Sequence, residues 1–278
     1  MGESNMKIKN KQLSELTKND LKKIKLIVFD VDGVLVPRGT KIKQKGNKIT
    51  FEVKKIPKNQ INQIKKLHDL GFKININSGR GLYMLQEMFR EVLPFVSLTY
   101  ENGSATWFKG KIYQHVNSFN ELKDVFFKLK SVKNKNILGF EPKEFIIIIH
   151  CKRRIKKIEK ILSKEKKLYS IWNSEAYDIG VKKIQTKAVG LRAFMKILNL
   201  RKENVLAFGD NYNDRELLGS VGIAFTSDKS RINGDFFISL NDKVLPASQF
   251  MSHILTLNNK NNRNTQKKEH LIKRLNKK

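Results

Sequence analysis

The chain has 278 residues, 40% of them hydrophobic, which is enough for one sizeable core and a smaller second unit, and its single cysteine, Cys151, excludes both an intrachain disulfide and a cysteine metal cage. Its longest uninterrupted apolar run, Phe145 to Ile149, is too short to cross a bilayer, and Met1 to Asn10 lacks the apolar core of a signal peptide, so the expectation is a soluble, cytoplasmic protein with no membrane partner. The formal net charge of +30 attracts polyanions, but the lysines are scattered along the chain with abundant Asn and Ile and without a zinc-finger spacing or an aromatic RNA-binding signature, which argues against a nucleic-acid partner.

Apolar runs bounded by turn residues alternate with helical patterns, the mark of a parallel sheet buried on both faces. The first strand is Lys25 to Asp30. "TKIKQKGNKITFEV" alternates polar and apolar on both sides of Gly46-Asn47 and predicts a β-hairpin. Pro57 opens a helix with Ile61, Ile64, Leu67 and Leu70 on one face, and Gly71 closes it. "FKININ" is the next strand, followed by a helix carrying Leu82, Leu85, Phe89 and Val92, then the strand "FVSLTY".

From Asn102 the texture changes to an antiparallel hairpin, a helix near Asn120 to Ser131, the strand "FIIIIHC", a very basic helix and two short strands around Ile171 and Tyr177. The alternation then resumes with a helix from Thr186, the strand "NVLAFG", a helix after Asp214, and the strands "VGIAF" and "DFFISL". The expected organisation is an extension (1–24), an α/β sheet unit (25–102 and 184–252) interrupted by an α+β insertion (103–183), and a basic C-terminal tail (253–278).

Two strands end in paired carboxylates. Asp30 and Asp32 lie two apart, so in an extended chain they point to one side, at the carboxyl end of a buried strand where open α/β sheets bind ligands. "VLAFGDNYND" repeats the pattern with Asp210 and Asp214. Capping of the following helices accounts for one Asp at each site and not for its companion. If the two strands are neighbours, four carboxylates converge and need either a cation or raised pKa values, and Mg²⁺ with oxygen ligands and substrate phosphate oxygens would meet that need. Ser78 and the N–H groups from Gly79 onward offer an anion site, and Lys187 a fixed positive charge. Neither a P-loop nor a dinucleotide fingerprint is present in the chain.

In order, "DVDGV" (30–34), "NSGR" (77–80), Lys187 in "TKAVGL" and "GDNYND" (209–214) resemble the four motifs of the haloacid dehalogenase superfamily. The insertion between the second and third motifs resembles its branch with a type IIB cap, which holds sugar-phosphate phosphatases, Cof-like phosphatases, an archaeal type of phosphoglycolate phosphatase and a phosphomannomutase. Val34 departs from the Thr carried by many relatives.

The resemblance implies a Rossmann-like core with an α+β cap, and a Mg²⁺-dependent phosphatase of a small phosphorylated metabolite, either a sugar phosphate or a phosphoglycolate-like acid. It implies that Asp30 forms an aspartyl-phosphate, that Asp32 is the general acid and base, and that Ser78, Gly79 and Lys187 bind phosphate. Mg²⁺ would be held by Asp30, the Asp32 carbonyl, Asp210 and Asp214, with Asn213 in support. In this branch the cap reads the leaving group, and His150, Lys152, Arg153, Trp172, Asn173, Glu175 and Tyr177 are the candidates to do so. A phosphomutase and a nucleic-acid-binding protein with a vestigial core are the alternatives.

Overall fold

The computed structural model describes residues 10–258, apart from residues 40, 47 and 241–243. In chain order the described elements begin with β1 (Lys11–Gln12), α1 (Lys18–Leu21), β2 (Leu26–Phe29), β3 (Ile42–Lys45), β4 (Lys48–Phe51), α2 (Lys58–Asp69), β5 (Lys73–Asn77), α3 (Leu82–Met88) and β6 (Val96–Tyr100). Next come β7 (Ala105–Phe108), β8 (Lys111–Gln114), α4 (Phe119–Lys130), β9 (Ile137–Glu141), β10 (Ile147–Cys151), α5 (Lys156–Leu162), β11 (Leu168–Trp172) and β12 (Ala176–Val181). The chain returns through α6 (Lys187–Ile197), β13 (Val205–Gly209), α7 (Arg215–Leu218), β14 (Ile223–Thr226), β15 (Phe236–Phe237) and α8 (residues 246–258).

Among the described residues nine strands form one sheet in the order β1-β15-β14-β13-β2-β5-β6-β7-β8, parallel from β1 to β6. β2 lies at its centre, and alternation along it feeds two cores. Leu26 and Val28 pack with Leu191 and Phe194 of α6, whereas Ile27 and Phe29 pack with Ile64 of α2 and Phe250 of α8. Phe29, Phe208, Phe225 and Phe236 occupy equivalent positions on four neighbouring strands and stack with centroids 5.2, 4.6 and 4.9 Å apart. Phe250 meets three of these rings edge-on. This ladder fixes the register that delivers the strand ends to one edge.

The helix from Pro57 and the hairpin around Gly46 form as predicted. The hairpin β7–β8, expected in the insertion, instead extends the main sheet: Thr99 pairs with Thr106 and their hydroxyls lie 2.9 Å apart. Alternation in a sequence reveals a hairpin but not the sheet edge it joins. A second sheet, ordered β11-β12-β10-β9, is backed by α4 and α5 around Leu129, Ile149, Ile158 and Tyr177. Its edge strand β9 was not anticipated, because Gly139 interrupts the pattern.

Two further differences lie near the termini. Residues 11–12, placed in the extension, add β1 beside β15, a two-residue polar strand with no periodic signal. Residues 253–258, placed in the tail, continue α8 and bury Ile254; residues 259–278 lie outside the described residues. Among the described residues no helix is long and apolar enough to cross a membrane.

Candidate active site

β2 and β13 are hydrogen-bonded neighbours with Phe29 opposite Phe208, so Asp30 and Asp210 emerge close together at the carboxyl edge of the sheet. The Asp30 N–H donates to the Phe208 carbonyl at 3.3 Å. A 3-10 turn at Tyr212–Asp214 folds the Asp214 carboxylate back, where one oxygen accepts from the Asp210 and Asn211 N–H groups at 3.1 and 3.2 Å. Asp30, Asp210 and Asp214, all buried, each offer an oxygen within 4.8 Å of the others.

Lys187, the first residue of α6, enters this cluster with its side chain 2% exposed. Its Nζ lies 2.7 Å from Asp30 and 2.6 Å from Asp214. The helix start is held by the Thr186 hydroxyl, which accepts from Val189 N–H, and by Asn77, whose amide donates to the Lys187 carbonyl at 3.1 Å. Burial raises the Asp30 pKa well above the usual carboxylate range, and repulsion from Asp214 adds to it. Burial and then Asp214 push Asp210 up to about 6, against the attraction of Arg38. Burial disfavours the Lys187 ammonium, yet Asp214 and Asp30 outweigh it and raise its pKa.

Asp32 behaves differently. Its side chain is 33% exposed and is gripped by the Arg80 fork through bonds of 2.9 and 2.8 Å, with Lys54 at 4.0 Å. Asp32 therefore stands beside the three-carboxylate cluster and its side chain is not part of it. Ser78 is buried and its hydroxyl accepts from Arg80 N–H at 3.2 Å. Ser78, Gly79, Asn213 and Lys187 line the same cavity as Asp30, Asp32 and Asp210, about 240 Å³ in volume.

The residues fit a magnesium ion. Their donors are hard oxygens, the carboxylates carry more charge than the nearby cations neutralise, and Asn213 Oδ1 is buried without a hydrogen-bond partner. Gly33 serves the same corner. It has φ +76°, and a Cβ there would run into the Asp210 carboxylate. Gly33→Ala is expected to cost about 1–2 kcal/mol from the left-handed backbone alone and to weaken any binding of magnesium at Asp210. Thermal melts with and without added magnesium measure both effects.

The second sheet roofs the cavity, but only some of its expected residues face it. His150, Asn173 and Glu175 do. Trp172 and Tyr177 do not: their rings pack together at 4.8 Å, and the Tyr177 hydroxyl accepts from Ile155 N–H. Strand alternation explains this, since Ala176 and Asp178 on β12 face the cavity and Tyr177 between them faces the second core. Arg153 and Lys152 are exposed and do not line this cavity.

Among the charged residues that line the cavity, sequence reasoning missed six: Arg38, Arg80, Glu141, Lys143, Asp178 and Arg231. Arg38 pairs with Asp210 and, at 2.9 Å, with Asp228. Glu141 binds Lys143 at 2.6 Å and His150 at 3.1 Å; burial opposes its ionisation, but these two partners hold its pKa at about 2. Lys143 also donates to the Gly79 carbonyl at 3.0 Å, joining the roof to the loop that follows β5. Asp178 accepts from the Asn102 amide at 2.8 Å. A signal existed for Arg80, inside "NSGR", whereas alternation on β12 left Tyr177 and Asp178 equally eligible. Arg38, Glu141 and Lys143 had none.

A curated relative, phosphoglycolate phosphatase 1 of Saccharolobus solfataricus, is 26% identical over 208 residues, covering 72% of this chain and 80% of that protein. Among solved structures, a phosphatase of the haloalkanoate superfamily from Bacteroides thetaiotaomicron has a TM-score of 0.61 at 19% identity, covering 84% of this chain and 95% of its own. A subclass IIB sugar phosphatase of the same superfamily has a TM-score of 0.60 at 20% identity, covering 83% and 98%. These two share the fold of an α/β core with a central parallel sheet. The family model for haloacid dehalogenase-like hydrolases matches residues 27–184 and, in an overlapping stretch, 114–228. The chain belongs to the haloacid dehalogenase-like hydrolases.

Proposed function

We propose that the protein is a magnesium-dependent phosphatase of a small phosphorylated metabolite that works through an aspartyl-phosphate on Asp30. The observation that carries this reading is Lys187 bonded to both Asp30 and Asp214 within a buried three-carboxylate cluster at the floor of a cavity. Asp30, Asp210 and Asp214, with the Asp32 carbonyl and Asn213 in support, would hold magnesium, which when bound neutralises the carboxylates and the phosphoryl oxygens.

The protein's own groups do the rest. Lys187, the Ser78 hydroxyl and the Gly79 N–H fix the phosphoryl group. An Asp30 oxygen attacks phosphorus as the ester P–O bond breaks, and Asp32 gives its proton to the leaving oxygen. Asp32 then takes a proton from water, whose oxygen attacks phosphorus; the bond to Asp30 breaks, and phosphate leaves. Arg80 keeps Asp32 aimed during both halves. The roof formed by the second sheet, with His150, Asn173 and Glu175 over the cavity, would read the leaving group. A cavity of about 240 Å³ lies below the roughly 300–1,000 Å³ of pockets for drug-sized ligands, which suits a leaving group no larger than a simple sugar or hydroxy acid.

A panel of sugar and organic-acid phosphates tests the reading. Phosphate release with Mg²⁺, abolished by EDTA and restored by added Mg²⁺, is the expected result. No release across the panel rejects it, and an isomerised phosphate ester as product would make the protein a mutase.

A further inference from the structure

The proposed reaction leaves the far side of the second sheet unused. Asp178 and His150 on that sheet face the cavity, whereas Ile149 and Tyr177 enter the core under α4 and α5, so the outer surface of α5 looks away from the catalytic floor. Residues 152–167 hold nine lysines and arginines in sixteen positions, all exposed, against one in five over the whole chain. Composition bias alone does not produce that density. Lys182 and Lys183 extend the field, and Lys182 Nζ donates to the Lys166 carbonyl at 3.0 Å. Eleven cations thus face two carboxylates, of which Glu165 is bonded by Lys128 from α4 at 3.1 Å and Glu159 lies 3.6 Å from Arg154.

The chemistry of the face narrows its partner. Ile155, Ile158 and Leu162 are buried and Ile161 half-buried, so residues 152–167 expose no apolar side chain to insert into a bilayer or to seed a protein interface. They also contain no Asn or Gln for base edges and no aromatic ring for stacking. Backbone phosphates need only cations. Against the expectation from the scattered lysines, we infer that this face docks the phosphodiester backbone of a nucleic acid without reading its sequence, an activity separate from the catalytic cavity.

Fluorescence anisotropy of the full chain with short labelled RNA and DNA oligonucleotides of varied sequence, between about 50 and 200 mM salt, tests the inference. The parent is expected to bind with a Kd of roughly 10⁻⁴ to 10⁻⁶ M near physiological salt, with little sequence preference and a steep salt dependence. Lys156→Glu, Lys157→Glu and Lys160→Glu together are expected to weaken binding by about tenfold or more and to flatten the salt slope by up to about 0.9 for each lost contact. Lys18→Glu, Lys22→Glu and Lys23→Glu, three exposed charges on another surface, are the control and should change affinity little. Should the first triple not fold, as judged by its melting curve, the corresponding Lys→Gln triple takes its place. Equal losses in the two triples, undetectable binding by the parent, or capture by phosphatidylserine vesicles in place of oligonucleotides overturns the inference.

Discussion

Turnover of every phosphate ester is expected to vanish in Asp30→Asn, falling roughly 10⁴-fold or more, while the melting temperature stays level or rises. The two halves of this result have one cause. Asp30 is 5% exposed, with Asp210 and Asp214 beside it, and its pKa is raised first by burial and then by Asp214. The folded chain therefore holds the Asp30 proton more tightly than the unfolded chain does. A group of that sign favours folding below its unfolded pKa and loses that contribution as pH rises through the folded value, so at neutral pH the ionised side chain is a burden on the fold. Asn removes the burden and keeps an oxygen to accept from Lys187, but its amide is no nucleophile. A stable, inactive Asp30→Asn separates the chemical role of Asp30 from a structural one, whereas an unfolded variant or retained turnover removes Asp30 from the proposed mechanism.

The conflict between stability and chemistry at this position also explains which parts of the molecule were readable in advance. β2 and β13 were legible because burial on both faces writes an unbroken apolar run, and a carboxylate pair ending such a run is conspicuous against it. Asp214 and Lys187 were legible through spacing from those runs. The roof was harder. Its cavity-facing residues are selected by strand alternation relative to a core whose side is not written in the chain, so Tyr177 was expected at the cavity where its neighbour Asp178 stands. Arg38 and Lys143 were invisible because each acts through a partner remote in sequence, Arg38 on Asp210 and Lys143 on Gly79, and Glu141 because the pairing of β9 with β10 that sets it beside His150 was not anticipated. The attachment of β7–β8 to the main sheet was hidden for the same reason, since a hairpin satisfies its own local pattern whichever edge it joins.

Lys187→Met should be the most destabilising single change at the site, and Mg²⁺ should reverse part of the damage. In the parent the ammonium supplies hydrogen bonds to Asp30 and Asp214 from a position with almost no access to water. Methionine fills similar space and brings no charge, leaving two carboxylates facing each other with Asp210 close by. Removing one partner from a buried ion pair costs about 3–5 kcal/mol, which for a chain of this size corresponds to a fall in Tm on the order of 10 °C. Turnover should fall as well, because the phosphoryl oxygens lose a fixed cation. The distinguishing readout is the metal response. If Asp30, Asp210 and Asp214 form the magnesium site, a divalent ion replaces part of the missing charge, and the Tm increase on adding Mg²⁺ should be larger in Lys187→Met than in the parent. A melt in which Mg²⁺ stabilises neither protein would mean that the cluster does not hold the ion, and the carboxylates would then need another explanation for their shared burial.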